Sequence, residues 1–278
     1  MPLSVDELLY ILDVKRLDID LFRGASRDWR LFFGGQVVGQ ALVAATRTVD
    51  GLLAHSLHGY FLRAANPAVA IDFKVRRIRD GRSFATRQVD AYQEGQEIFC
   101  MFASFNKAET GLTHQFAMPQ VPPPESLAKL TDLPENARRD LLENGLIEMR
   151  PVDFEAVAHG KVNDGVQQIW LRVSGPLSDD PALHRAALAY ASDRTLWDTA
   201  VLTLGRRCMD ADLQVSSLDH AVWFHRAFRA DEWLLFHQES PSVADGRGFN
   251  RGSIYSRDGR LVASVAQEGL IRLVSPAP

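Results

Sequence analysis

RDGRSFATRQVDAYQEGQEIFCMFASF (residues 79–105) recurs, loosened but in the same order, as ADGRGFNRGSIYSRDGRLVASVAQEGL (residues 244–270). Both stretches open on Asp-Gly-Arg-x-Phe, at 80–84 and 245–249. Each then alternates apolar and polar residues up to a glycine, Gly95 or Gly259, and alternates again to its end. Period-two patterning broken by a single glycine is the signature of two strands joined by a tight turn. The match extends upstream, where HGYFLRA from His58 faces HAVWFHRAF from His220. Further upstream, GGQVVGQALVAATRTV (34–49) and ALHRAALAYASDRTLWDTAV (182–201) are both helix-patterned. A helix, a His-aromatic strand, Asp-Gly-Arg and closing strands in one order, twice, mark a tandem duplication of a unit of about 110–130 residues.

Outward from these copies, IDFKVRRI (71–78) and QQIWLRV (167–173) add further period-two strands. Strands in runs, joined by glycine turns, favour an antiparallel sheet, and the single apolar helix of each copy must bury itself against that sheet. The first helix is rich in small residues (Gly34, Gly35, Gly39, Ala41, Ala44, Ala45), which permit close backbone approach. The expected fold is therefore α+β, a double hotdog: two antiparallel curved sheets, each wrapping a central helix, joined into one pseudo-dimeric sheet. The units are expected at 1–115 and 147–278. Between them, 116–146 carries the proline cluster 122–124, which blocks both helix and ladder, and then one or two surface helices over 126–144 interrupted near Pro134. Ser4 and Glu7 have the spacing of a capping box ahead of an N-terminal helix.

In the second helix pattern, Ala186, Tyr190, Asp193, Trp197 and Ala200 fall on one stripe, so a carboxylate stands among buried positions. The first helix, from Phe32 to Thr48, has no acid at all. A lone buried carboxylate costs several kcal/mol unless it is compensated. In the last strand Gln267 shares a face with Leu261, Ala263, Val265 and Ile271, and the matching position of the first copy is Ala103. Ser217, at the entry to the second His-aromatic strand, adds a hydroxyl. An acid, an amide and a hydroxyl from three elements of one half together suit the holding of a water molecule.

The blocks LFRG, FFGGQVVGQAL, HSLHGYFLR, RDGRSF, YASD, LDHAVWFHR, RGFNRG and VASVAQEG cover nearly the whole chain in order. In this combination the chain resembles the acyl-CoA thioesterase II family, double-hotdog enzymes that hydrolyse acyl-CoA to free acid and coenzyme A. The resemblance implies a catalytic trio at Asp193, Ser217 and Gln267, with Ser217 standing where the family's best-known members carry threonine. It implies that Asp193 deprotonates a water held with Ser217 and Gln267, with no metal or redox cofactor. It also implies that the Gly34-Gly35 helix start offers N–H groups to the thioester oxygen. The competing readings are a hotdog enoyl-thioester hydratase, whose Asp/His motif block is absent, and a non-catalytic acyl-CoA binder, which would gain little from a held water.

Other features carry alternatives. His55 is a candidate for lining the cleft, against a structural role. His55 with His58, and His220 with His225, invite a metal reading, but residues three apart on a strand face opposite sides and no acid or cysteine completes either set. Arg247 and Arg251 are candidate contacts for coenzyme A phosphates, against the alternative of solvated strand charges. No Gly-x-Ser-x-Gly elbow is present, which argues against a serine hydrolase. A net charge of -4 gives no reason to expect nucleic acid, and no apolar run reaches the length of a membrane span. The acidic N-terminal MPLSVDELLYILDV and the terminal LVSPAP do not read as targeting signals, and the chain has only two cysteines. A cytoplasmic protein is expected, one that forms dimers or tetramers of double hotdogs as the family often does.

Overall fold

The structure is a computed structural model that describes residues 4–25, 33–129, 132, 145–208 and 210–274. Among the described residues, thirteen strands form one sheet. In the first half, helix α1 (Val5–Leu12) leads into β1 (Val14–Asp18) and β2 (Leu21–Gly24). Helix α2 (Gly34–Thr46) follows, and then β3 (Leu53–Phe61), β4 (Asp72–Asp80), β5 (Phe84–Gln93) and β6 (Gln96–Asn106). The second half comprises β7 (Ile147–Pro151), α3 (Phe154–His159), β8 (Val166–Val173), α4 (Pro181–Ser192) and α5 (Asp198–Thr203). It closes with β9 (Leu213–Ser217), β10 (Asp219–Phe224), β11 (Leu234–Ala244), β12 (Arg247–Ser256) and β13 (Leu261–Leu273).

The strand order β1-β2-β4-β5-β6-β3-β10-β13-β12-β11-β8-β7 reads the same way from either edge to the β3–β10 seam, as duplication demands. That seam is antiparallel, with Val222 opposite Leu57 and His220 opposite Gly59. The expected double hotdog is the observed fold. Gly95 and Gly259 both take positive φ, 80° and 85°, at the turns that close each repeat.

The two central helices lie against each other, and glycine makes this possible. A Cβ on Gly35 would stand 2.4 Å from the backbone oxygen of Tyr190. The buried faces of both helices, including Val37, Val38, Leu42, Ala187, Leu188 and Tyr190, belong to one apolar core with Leu57, Phe73, Phe99, Phe105, Val222 and Val265 from the sheet. The proline-rich connection crosses the outer face of the second half, where Met118, Val121 and Leu127 pack on Trp170, Trp233, Leu235 and Tyr255. Trp170 Nε1 donates to the Pro122 oxygen at 2.9 Å. Most of the helical stretch expected over 126–144 lies outside the described residues. Ser4 does stand at the N-cap of α1, but its side chain makes no capping hydrogen bond, so the capping box is not formed as expected. No helix among the described residues is long and apolar enough to cross a membrane.

The stretch 182–201 departs from its periodicity. Instead of one helix with Asp193 in mid-course, α4 ends at Ser192, Asp193 is its C-cap (φ −81°, ψ −9°), and α5 begins at Asp198. Side-chain hydrogen bonds end the helix. Ser192 Oγ bonds back to the Ala189 oxygen, and Thr195 Oγ1 accepts from Gln238 Nε2 at 2.9 Å. Of the two, Gln238 is the distant partner, and it draws Thr195 away from the next helical turn. Trp197 and Ala200 accordingly join a separate cluster with Val201 and Ile271.

Candidate active site

β9 and β10 both pair with β13, on either side of Gln267: Val222 lies opposite Val265, and Ser217 opposite Gly269. Between them Leu218 bridges the junction, its N–H donating to the Glu268 oxygen and its carbonyl accepting from the Phe61 N–H, each at 2.9 Å. Alternation along β13 sends Ala263, Val265, Gln267 and Ile271 to the helix side, where Gln267 is fully buried. The helix end above it delivers Asp193, 4% exposed. Gln267 Nε2 donates to Asp193 Oδ1 at 2.5 Å and to Ser217 Oγ at 3.2 Å. The three residues singled out in the sequence therefore meet, with the amide as their bridge.

The first half packs against this cluster. The Gly35 N–H, in the first turn of α2, donates to the Asp193 carboxylate. A Cβ on Gly34 would fall 2.8 Å from Asp193 Oδ2 and 2.9 Å from the Phe61 ring. A larger residue there would displace the carboxylate or the ring. Burial pushes the Asp193 carboxyl up to about 7, against the opposing pull of Gln267, the Gly35 N–H and the Arg194 charge. A carboxyl at that value is matched to taking a proton near neutral pH.

The remaining sequence candidates lie elsewhere. His55 Nε2 is 2.8 Å from Ser104 Oγ, and its ring meets Phe84 edge-on. It stands six residues along β3 from Phe61, about 20 Å at strand rise. Arg247 and Arg251 are exposed and paired, with Glu268 at 3.0 Å and Glu239 at 2.8 Å. His58 is exposed and bonds Asp219 Oδ2 at 2.9 Å, and His225 bonds Ser264 Oγ at 2.8 Å.

Two elements of the site escape a reading of the sequence. His220, weighed there only as half of a metal pair with His225, is fully buried, with Nδ1 3.6 Å from Asp193 Oδ1. The signal was its place on the inward face of β10 beside Val222 and Phe224. The second is a row of buried amides beyond Gln267. Asn250 is its partner in register, and Gln238 and Gln167 are opposite each other on the next strands. Thr199 Oγ1 bonds both Gln167 and Gln238, at 3.1 and 3.2 Å.

A sheet wrapped on two packed helices, with a buried carboxylate and amide meeting a half-buried hydroxyl under a helix start, defines a double-hotdog protein. Comparison with known proteins narrows this class. Residues 25–106 match the model of the acyl-CoA thioesterase N-terminal domain, and residues 140–270 match that of acyl-CoA thioesterase. The chain is 38% identical to human acyl-coenzyme A thioesterase 8 over 95% of its own length and 88% of that protein's. It is 34% identical to acyl-CoA thioesterase 2 of Haemophilus influenzae, over 96% and 98%. The structure of an acyl-CoA thioesterase II from Mycobacterium marinum superposes with a TM-score of 0.81 at 45% identity, covering 98% of this chain and 99% of that one. The chain belongs to the acyl-CoA thioesterase II family.

Proposed function

We propose that Asp193, Ser217 and Gln267 hold and activate the water that hydrolyses acyl-CoA thioesters. Hydrolysis of acyl-CoA is the activity of the family to which this chain belongs, and neither the hydratase nor the non-catalytic binder is favoured by relatives so similar over so much of the chain. The observation that carries the assignment of residues is the Gln267 amide bonding both the carboxylate and the hydroxyl. An amide fixed from both sides orients two acceptors toward one reactant. Asp193 takes the water proton as the oxygen attacks the thioester carbon, and the carbon–sulfur bond then breaks to release coenzyme A. The thioester oxygen faces the N-terminal turn of α2. There Gly34 offers the positive end of the helix, while the Gly35 N–H is already engaged by Asp193.

In the same reading the repeats divide at 1–115 and 147–278, with 116–146 as connection. The enzyme works in the cytoplasm, a setting that suits its free Cys100 and Cys208. It assembles as dimers or tetramers through the outer sheet face, where Tyr60, Phe102 and Trp223 are about half exposed. Light scattering of the purified protein tests the assembly; a monomer at micromolar concentration removes that part.

Thiol release from acyl-CoA, followed against pH, is the direct test of the chemistry. With Asp193 as base, kcat/KM climbs with pH through about 7 and levels above it, because the ionised carboxylate is the competent form. A profile flat from pH 5 to 9 would exclude this carboxylate. Ser217→Ala is expected to lower kcat roughly tenfold to a hundredfold, the range of one lost polar contact to the reacting water. Ser217→Thr, which keeps the hydroxyl, should stay within about threefold of the parent. Equal activity in all three proteins would remove Ser217 from the site.

A further inference from the structure

Two buried atoms beside the proposed base have no hydrogen-bond partner, Gln267 Oε1 and His220 Nδ1, and the histidine nitrogen is the one that faces the carboxylate. One placement of the ring's proton satisfies both hydrogen bonds at Ser192. His220 Nε2 lies 2.9 Å from Ser192 Oγ, and that hydroxyl donates onward to the Ala189 oxygen at 3.1 Å. A serine hydroxyl has one hydrogen to give. Since it is given to Ala189, Ser192 accepts from His220, and the imidazole is the Nε2–H tautomer. Nδ1 is then a bare lone pair, 3.6 Å from Asp193 Oδ1.

Two lone pairs face each other across this gap while Asp193 is ionised. Once the carboxylate has taken a proton, the same gap holds a donor and an acceptor. We infer that His220 is a positioning residue of the hydrolysis, whose Nδ1 accepts a hydrogen bond from the protonated Asp193 and so steadies the acid form until its proton passes to the departing sulfur. This role rests on Asp193 being the base. The proton accounting is closed: a water O–H breaks, the proton resides on Asp193, the carbon–sulfur bond breaks, and the thiolate takes that proton. His220 neither gains nor loses charge. Burial, reinforced by the nearby His58, pushes its imidazole down to about 3, so it stays neutral through the working range.

The other groups facing Asp193 are Arg194 from its own turn, the Gly35 N–H from α2 and Gln267 from β13. All three favour the ionised form. His220 is the described neighbour whose lone pair favours the neutral acid, on the opposite side of the balance. Its orientation is imposed from α4 through Ser192, so the helix that delivers the carboxylate also sets the ring that faces it.

The test uses the full chain and steady-state hydrolysis of an acyl-CoA from pH 5 to 9. His220→Phe is expected to lower kcat about tenfold or more with KM within about twofold, and to move the acid limb of kcat/KM down by about one pH unit. His220→Asn, which returns an acceptor near the Nδ1 position, should recover most of both. Ser192→Ala guards against a His220→Phe that fails to fold: with the tautomer released, the ring can present Nδ1–H to the carboxylate, and the acid limb again moves down. An unmoved limb in the folded variants, with activity loss merely tracking melting temperature, overturns the inference. If instead Asp193→Asn retains full activity, it is the assignment of the base that has failed.

Discussion

Asp193→Asn is expected to fold, to lose hydrolysis by roughly 10²–10⁴-fold, and to be more stable than the parent at pH 8. The two effects share a cause. The carboxyl is buried and its proton affinity raised to about 7, whereas in the unfolded chain it ionises near 3.8. Below that lower value both states are protonated and no penalty exists. Between the two values the unfolded chain is ionised and the folded one is not, so stability falls as pH rises, and above about 7 the loss is complete. Carrying the charge at pH 8 costs the fold up to ~4 kcal/mol. Asparagine has no such term. Guanidinium unfolding at pH 4 and pH 8 reads this directly: the stability gap in favour of the variant should widen with pH. A gap that is constant, or that reverses, would mean the carboxylate is not held at a cost. The site would then lack the strained base on which hydrolysis depends.

Gly35→Ala should be a highly damaging single-methyl change. Exchanging a helical glycine for alanine ordinarily stabilises by about 0.5–1 kcal/mol. Here the added Cβ would sit 2.4 Å from the Tyr190 oxygen and 2.5 Å from the Phe33 ring. The ring can turn aside, but the oxygen belongs to the backbone of α4, so the two helices must part. A loss of about 1–3 kcal/mol follows from overpacking of this kind. Activity falls further than stability does, because the Gly35 N–H holds the Asp193 carboxylate. A drop in kcat of about tenfold or more is expected even at temperatures where the variant is fully folded. Gly39→Ala is the internal comparison. Its Cβ would meet the movable Leu12 Cδ2 at 2.6 Å and the Ala186 oxygen only at 3.4 Å, so its cost should be smaller. If the two substitutions prove equally mild, the helix contact is not as tight as the geometry demands.

The fold was legible because duplication wrote it twice. Alternation along 84–106 and 247–273, each interrupted at a positive-φ glycine, carries strand identity, turn position and facing together. Gln267 could be read as inward for the same reason. The end of α4 could not. Its apolar spacing continues through Trp197 and Ala200, and what stops it is a set of partners distant in sequence: Gln238 for Thr195, Gln267 for Asp193. His220 was missed because a lone histidine among apolar strand residues reads as core filling. Its meaning lies in Ser192 and Asp193, which a strand read by itself does not contain. Arg247 and Arg251 show another limit: that strand register sets Glu268 and Glu239 within reach of their side chains is not written in the local sequence.

The contact between the Gly35 amide and the Asp193 carboxylate crosses from one repeat to the other. An arrangement of this kind made from two separate polypeptides would come apart on dilution and take its nucleophile-holding geometry with it. Joined by one backbone, the partners meet at an effective concentration in the millimolar range however scarce the enzyme is. Competence is thereby uncoupled from abundance.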